Sequence, residues 1–328
     1  MVRRQLFALV GIGLMLAGAG CRSTAEPAPT AVMATGVSPA RPTAAQPGFY
    51  ISRDTAAARQ AAGLDAARAG ALGRITEQPS ALWLTGPTAR DQVAALTARA
   101  APTGQPVLLV AYAIPQRDCG LYSAGGMADG AAYRSWIDGV ASALTGRSAW
   151  VVLEPDAVPQ TLQGCGPAAA ERYELLAHAV RELKRNPGVR VYLDAGNAGW
   201  VQDRAALADG LRRAGVGAAD GFALNVSNFF TTDQSYEYGR QLSAVLGGRP
   251  FVIDTSRNGN GALGGESWCN PPGRALGRTP TTDTGRSGLD ALLWVKNPGE
   301  SDGDCGRGEP KAGEFWTEYA LRLAGFTG

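Results

Sequence analysis

Seven short apolar runs constrain the fold of this 328-residue chain more than any other feature. Each run is almost continuously apolar, as strands covered on both faces are, and helical patterns separate most of them. The runs occupy residues 81–86, 107–114, 149–156, 189–196, 221–229, 250–258 and 291–299, and the clearest helical patterns occupy 133–144, 168–184, 204–214, 235–246 and 314–324. Strands that alternate with helices predict an α/β fold with a parallel sheet.

Polar residues follow almost every apolar run, and this regularity distinguishes a barrel from an open sheet. In a barrel the carboxyl ends of all strands converge on one mouth, whereas an open sheet concentrates such residues at one switch point. Seven runs are present rather than eight. The sequence therefore predicts a distorted (β/α) barrel of about seven parallel strands, with an active site at the strand carboxyl ends.

Residues 1–21 are typical of an export signal. Two arginines precede a short apolar stretch at 6–16, and small residues then lead to Cys21. The stretch is too short to span a bilayer, which needs about 20 apolar residues. The small residues before Cys21 resemble a lipobox and predict a lipid anchor on the outer face of the membrane. Gly18 stands where such motifs usually have Leu, so ordinary secretion remains the alternative.

Residues 22–47 are rich in Ala, Pro and Thr and show no apolar periodicity, so a disordered linker is predicted there. Residues 48–328 are then the folded domain, and no second folded module is expected. The 31 Lys and Arg residues nearly balance the 29 Asp and Glu residues, without long runs of one sign. This balance argues against a nucleic-acid partner, and a monomer is the default expectation.

Four cysteines follow Cys21, and an even number in an exported protein suggests two disulfides. Three connectivities can be drawn, and the sequence positions favour Cys119–Cys165 with Cys269–Cys305. A metal site is the competing interpretation, but no CxxC or Cys/His spacing supports it. Neither a metal nor a cofactor is expected.

The only histidine, His178, lies inside a helical pattern, which argues against a Ser-His-Asp triad or a multi-histidine metal site. Carboxylates are therefore the best candidates for acid and base. Four aspartates stand at or just beyond strand ends: Asp118, Asp156, Asp194 and Asp302. A single aspartate at such a place could be a structural cap or an ion-pair partner. Four of them on the same rim favour a catalytic role. Two carboxyls flanking an acetal are what glycoside hydrolysis needs, and Asp118 beside Asp156 can help to keep the latter protonated.

Aromatic residues in or just after the predicted strands strengthen a carbohydrate interpretation, because flat aromatic faces stack on the apolar faces of sugar rings. They are Trp83, Tyr112, Trp200, Trp268 and Trp294. Core packing is the better explanation for Trp294. It is a poorer one for Trp200 and Trp268, which lie in polar, Gly-rich segments.

Residues 259–264 match the GxGxxG pattern and follow a strand, yet no helical pattern comes after them. A dinucleotide site needs that helix to receive the pyrophosphate. The segment is therefore predicted to be a loop.

Seven blocks of the chain resemble glycoside hydrolase family 6, the inverting cellulases. In family order they are YAIPQRDCGLYSAGG (112–126), VVLEPDAV (151–158), VYLDAG (191–196), GFALNVSNF (221–229), FVIDTSRNGNG (251–261), WCNPPGRALG (268–277) and LLWVKNPGESDG (292–303). The resemblance covers residues 48–328 and implies a distorted barrel with fewer than eight strands. It also places the four cysteines where the family has two disulfides.

The resemblance implies roles for individual residues. Asp156 matches the general acid, Asp118 matches the aspartate that assists it, and Asp302 matches the proposed base. The implied substrate-binding residues, which include the aromatic that presses on the sugar at the cleavage point and those that stack at other subsites, are Trp83, Tyr112, Asp194, Asn197, Trp200, Asn228, Trp268, Lys296 and Glu300.

One position departs from the family pattern. Asn197 stands where the family usually has a histidine that contacts the sugar near the cleavage point. Asparagine still donates a hydrogen bond but carries no charge and has a shorter reach, so retained chemistry with altered affinity is expected.

The expected function is that of an inverting endo-β-1,4-glucanase with β-1,4-glucan as its partner. Residues 277–289 form a short connection that leaves little room for loops to roof the cleft, which favours an open cleft and internal cutting. Two alternatives stand beside this interpretation. The chain could hydrolyse another exported polysaccharide, or it could be a surface protein that binds glucan without cleaving it.

Overall fold

One seven-stranded parallel sheet organises the chain in a computed structural model that describes residues 48–165, 169–264 and 267–326. Its strands are β1 (Leu82–Leu84), β2 (Val107–Ala111), β3 (Ala149–Leu153), β4 (Val189–Asp194), β5 (Gly221–Leu224), β6 (Phe251–Asp254) and β7 (Leu289–Leu293). Each of the seven apolar runs overlaps one strand, and the strands pair in sequence order from β1 to β7.

The sheet curls until its first and last strands meet. The backbone N–H of Ala81, just before β1, donates to the carbonyl of Trp294, just after β7, at 3.1 Å. The indole N–H of Trp83 donates to the carbonyl of Val295 at 2.8 Å. Within the described residues no strand ladder joins β1 to β7. The predicted distorted (β/α) barrel is confirmed, with an incompletely bonded seam between β7 and β1.

Helices follow most of the strands. They are α1 (Ala56–Ala61), α2 (Ala66–Thr76), α3 (Ala89–Ala100), α4 (Gly130–Ala143), α5 (Ala157–Leu162), α6 (Ala169–Lys184), α7 (Arg204–Arg213), α8 (Thr232–Val245) and α9 (Thr317–Leu323). The five helical patterns correspond to α4 and α6–α9. The sequence did not single out α1, α2, α3 and α5, because α1 and α5 are only six residues long and α2 and α3 are rich in alanine, which weakens their apolar periodicity.

Strand β2 shows how the sheet separates two apolar layers. Leu109 packs among the helices outside the barrel, whereas Leu108 and Val110 point into the barrel interior. Side chains alternate between the two faces of a strand, so a run that is apolar throughout serves both layers. The interior layer continues to Tyr112 at the carboxyl end of the sheet, where polar groups replace apolar ones.

The predicted signal at 1–21 with Cys21, and the predicted linker at 22–47, lie outside the described residues. None of the helices in the described segments has the length and apolarity that a membrane crossing requires. His178 lies in α6 as expected, with Nε2 2.8 Å from Oδ1 of Asp138.

Candidate active site

The loops at the strand carboxyl ends are held in an unusual backbone conformation. In the described segments, the non-glycine residues with positive φ are Gln116, Asp118, Cys119, Glu154, Asp156, Asn225, Ser227, Asn270 and Cys305. Each lies beyond the carboxyl end of a strand. A left-handed conformation costs a non-glycine residue on the order of 1–3 kcal/mol, and such residues cluster where a site must be held in one geometry. This rim is therefore the candidate functional surface.

Asp156 lies at the N-cap of α5, where φ is 69°. Its side chain keeps partial access to solvent, although protein atoms surround the carboxyl group. Burial, followed by the like charges of Asp194 and Asp118, raises the pKa of Asp156 well above its ordinary value, and the charge of Arg172 opposes this rise. The arrangement therefore favours the protonated form of Asp156, which is the form that a general acid needs.

Asp194 is 1% exposed and lies directly against Asp156. Its Oδ2 accepts hydrogen bonds from the backbone N–H groups of Asp156 at 2.9 Å and of Gly196 at 3.0 Å. Burial raises the pKa of Asp194 to about 7. Both backbone donors bond to Oδ2, and the buried Oδ1 has no hydrogen-bond partner. That Asp194 binds substrate stays a prediction.

Asp118 stands at the start of the loop that follows β2. Its Oδ2 accepts from the N–H of Ser123 at 2.7 Å, and its Oδ1 accepts from Nε2 of Gln160 at 3.3 Å. Burial raises the pKa of Asp118. The neighbouring Cys119 forms a disulfide with Cys165, in the expected pairing, and so ties this loop to the end of α5.

Glu154 is a buried carboxyl that the sequence interpretation missed. It is 1% exposed, and its oxygens accept from the N–H groups of Ala113 and Ile114 at 3.1 Å. Burial raises the pKa of Glu154 to about 7. A signal was present, because Glu154 lies two residues before Asp156, but the motif alone does not show that Glu154 bonds to the backbone next to Tyr112.

Asp302 lies in a network of cations and amides on the far side of the seam. Its Oδ2 is 2.8 Å from Nη1 of Arg257 and 3.0 Å from the N–H of Asn270, and its Oδ1 is 3.5 Å from Nζ of Lys296. Burial alone would raise the pKa of Asp302, but the charges of Arg257 and Lys296 outweigh it and lower the pKa. Asp302 is therefore ionised at neutral pH. The second disulfide, Cys269–Cys305, closes the same loops in the expected pairing.

Asp254 is a second buried carboxyl that was not predicted. At the end of β6 it accepts from the N–H groups of Ser227, Ser256, Val295 and Lys296 at 2.9–3.3 Å. It thereby fixes the ends of β5, β6 and β7 relative to one another. Most partners of Asp254 lie 27 to 42 residues away in the sequence, which is why the sequence did not indicate its role. Arg257 was missed for the same reason, because its partner Asp302 is 45 residues away.

The aromatic residues divide into buried and accessible groups. Trp83 and Tyr112 pack edge to face with 5.2 Å between ring centroids, and the guanidinium of Arg117 lies 4.8 Å from the Tyr112 ring centroid. Trp200 is half-buried, Trp268 is 42% exposed and Trp294 is fully buried, the last as expected for a core residue.

The remaining predicted binding residues have internal partners as well. Oδ1 of Asn197 accepts from the N–H of Gly199 at 3.0 Å, and Oδ1 of Asn228 accepts from the N–H of Phe229 at 2.8 Å.

Glu300 and Lys296, in the loop after β7, also have partners within the protein. Glu300 is half-buried and accepts from Nδ2 of Asn297 at 3.0 Å. Nζ of Lys296 is buried and donates to the carbonyl of Ser301 at 3.0 Å. The ammonium group of Lys296 therefore contacts the Ser301 carbonyl and the Asp302 carboxylate.

A possible metal site depends on the distances between side chains that could act as ligands. In the described residues, one cluster has ligand atoms close enough to hold an ion, formed by Cys269, Cys305 and Glu309. The two cysteines are joined to each other. A thiolate, which is the form of cysteine that binds metal, is therefore not available there.

The chain is similar to known proteins in sequence and in fold. A family profile described as glycosyl hydrolases family 6 matches residues 43–326. The chain is 46% identical to endoglucanase A of Cellulomonas fimi over 284 residues, which cover 84% of this chain and 61% of that protein. It is 43% identical to endoglucanase 1 of Streptomyces halstedii over 298 residues, which cover 87% of this chain and 90% of that protein. The chain thus spans less than two thirds of the Cellulomonas protein.

Solved structures share the fold. The endoglucanase Cel6 of Mycobacterium tuberculosis, solved in complex with methyl-cellobiosyl-4-deoxy-4-thio-β-D-cellobioside, superposes with a TM-score of 0.81 at 44% identity, covering 86% of this chain and 97% of that one. The catalytic core of the cellobiohydrolase Cel6A of Chaetomium thermophilum gives 0.72 at 28% identity, covering 80% and 91%.

Proposed function

The chain belongs to glycosyl hydrolase family 6, and on that basis we propose that it is an inverting endo-β-1,4-glucanase. The observation that carries this proposal is the position of Asp156, enclosed by protein between Asp194 and Asp118, with a pKa raised by burial and by both neighbours. An acid that keeps its proton near neutrality can protonate the oxygen of the leaving sugar.

The other residues have supporting roles in this proposal. Asp118 assists the acid, since its like charge raises the pKa of Asp156. Asp302, held ionised by Arg257 and Lys296, favours attack of water from the opposite side, either as the base or through a water that it orders. Among the aromatics, Trp83 and Tyr112 are at the end of the barrel interior, and Trp200 and Trp268 offer accessible faces for glucosyl rings.

The proposed acid predicts a specific loss of function. Asp156→Asn keeps the shape of the side chain but removes the proton donor, and general acid catalysis contributes on the order of 10²–10⁴ in rate. We expect at least that loss in the hydrolysis of carboxymethyl-cellulose, with binding of cellohexaose retained in calorimetry. Asp129→Asn is the matched control, because Asp129 is an exposed N-cap of α4 and asparagine caps helices equally well.

Near-normal activity of Asp156→Asn on this unactivated substrate would show that the acid lies elsewhere. The anomer formed first, followed by NMR, tests the stereochemistry independently. Inversion of a β-linkage gives the α-anomer first, so early β-anomer would contradict the proposed inversion.

We also propose that the protein is exported and attached to the membrane through a lipid on Cys21, with β-1,4-glucan as its substrate outside the cell. Two disulfides support an oxidising compartment, since such bonds are rare in reducing ones. Metabolic labelling with a palmitate analogue tests the anchor, with Cys21→Ser as the control. Equal labelling of both forms would contradict it.

A further inference from the structure

Two exposed aromatic residues meet across the mouth of the barrel. Tyr122, 49% exposed, comes from the loop after β2, and Trp268, 42% exposed, comes from the connection between β6 and β7. Their ring centroids are 5.7 Å apart with the planes at 61°. Neither ring belongs to the apolar core, so their contact requires an explanation other than core packing.

The loop that carries Tyr122 is rigidly built. Arg117 donates from Nε to the carbonyl of Ser123 at 2.7 Å and from Nη1 to the carbonyl of Tyr112 at 2.7 Å. The N–H of Ser123, next to Tyr122, donates to Asp118. The position of Tyr122 is therefore tied to the same carboxyl that assists the proposed acid.

The ring of Tyr122 also packs against the backbone of Gly303, in the loop after β7. Gly303, next to Asp302, has a φ of 136°, and a Cβ added there would stand 2.7 Å from Cδ1 of Tyr122. The carbonyl of Gly303 accepts from Nδ2 of Asn270 at 2.8 Å, which fixes this backbone. Tyr122 thus rests on bare backbone that a side chain would displace.

The contact crosses the seam of the barrel. Strand β2 pairs with β1, and the indole N–H of Trp83 in β1 donates to the carbonyl of Val295 just after β7, so the loops after β2 and β7 flank the end of β1. The packing of Tyr122 on Gly303 therefore joins the loop that carries Asp118 to the loop that carries Asp302.

We propose that Tyr122 is a specificity-determining residue that covers the cleft beside Asp118 and Asp302. Building on the proposed glucanase function, the covered section accepts an unsubstituted β-glucan and disfavours one whose hydroxyls carry bulky groups. The open faces of Tyr122 and Trp268 stack on the sugar rings that pass beneath them.

The test compares two substrates in each variant. In Tyr122→Ala we expect the ratio of kcat/KM on highly substituted carboxymethyl-cellulose to kcat/KM on cellohexaose to rise about tenfold, the lower end of what the shape of a pocket contributes to discrimination between substrates. Tyr122→Phe keeps the ring and the wild-type ratio. Leu121→Ala, at the adjacent and 59% exposed position, is the matched control and leaves the ratio unchanged.

A general loss of fold or of catalysis lowers both rates together, so only the ratio reports on specificity. In an Asp156→Asn background, Tyr122→Ala should also speed the dissociation of cellohexaose, which keeps the proposal testable if turnover of the single variant is low. An unchanged ratio with unchanged dissociation overturns the role of Tyr122. If the wild-type chain cleaves neither substrate, the proposed function itself fails, which is a distinct result.

Discussion

Asp156 and Asp194 form one titrating unit at the scale of single residues. The backbone N–H of Asp156 is bonded to Asp194, and the charge of Asp194 raises the pKa of Asp156. Groups that interact this strongly release their protons in steps that belong to the pair. The pH range in which Asp156 stays protonated is therefore set by the state of Asp194 as well as by burial.

Asp194→Asn separates the charge from the hydrogen bond. Asparagine can still accept from the N–H of Asp156, but it carries no negative charge. The pKa of Asp156 should fall, so the acid loses its proton at a lower pH and the alkaline limb of the kcat/KM profile should move to lower pH by about one unit or more. Hydrolysis of carboxymethyl-cellulose between about pH 4 and 9 measures the limb, with Asp129→Asn as the control. An unmoved limb would show that the charge of Asp194 does not contribute to the raised pKa of Asp156.

The sequence predicted the positions of the acidic residues better than their partners. Asp118, Asp156 and Asp302 were placed on the rim because polar residues follow buried strands. Pattern does not show which atoms a side chain bonds to. Asp194, the last residue of β4, was predicted only as a substrate-binding residue, whereas its Oδ2 accepts from the backbone N–H of Asp156. Arg257 was missed because it contacts Asp302 across 45 residues of sequence.

At the scale of elements, each disulfide joins loops that carry a proposed catalytic residue. Cys119–Cys165 ties the Asp118 loop to the end of α5, whose N-cap is Asp156. Cys269–Cys305 holds Asn270 against Asp302. The seven strands were predictable because continuous apolar runs mark them, whereas short α5, which begins at the acid, has too few residues for a periodic signal.

Replacing both Cys119 and Cys165 with serine should lower the free energy of unfolding and loosen the loop that carries Asp118. The bridge closes a span of 46 residues, which corresponds to about 4 kcal/mol of unfolding free energy on the chain-entropy account. Urea unfolding measures that loss, and kcat should fall because Asp118 is no longer held. The Cys269 and Cys305 double variant, with a span of 36 residues, is the comparison. Equal urea midpoints for the variant and the wild type would contradict a stabilising role.

At the scale of the whole molecule, the buried carboxyls make stability depend on pH in an uncommon direction. Burial raises the pKa of Glu154 from 4.5 and that of Asp194 from 3.8, each to about 7. Between about pH 4 and 7 the folded chain therefore holds protons that the unfolded chain has released. Unfolding free energy falls as pH rises whenever the folded state binds more protons. Asp302 acts oppositely, because its lowered pKa gives stability that is lost as pH falls below its ordinary value.

The combined effect predicts greatest stability near pH 4, with a decline toward pH 8. The contribution of Glu154 to that decline is on the order of 3 kcal/mol, since one pKa unit corresponds to about 1.4 kcal/mol. Urea midpoints at pH 5 and pH 8 measure the difference, and Glu154→Gln, which cannot ionise, should reduce it even if the variant is less stable at both. Asp129→Asn, at the exposed N-cap of α4, should leave the difference intact. A wild-type midpoint that rises from pH 5 to pH 8 would mean that Glu154 and Asp194 ionise in the folded state at little cost.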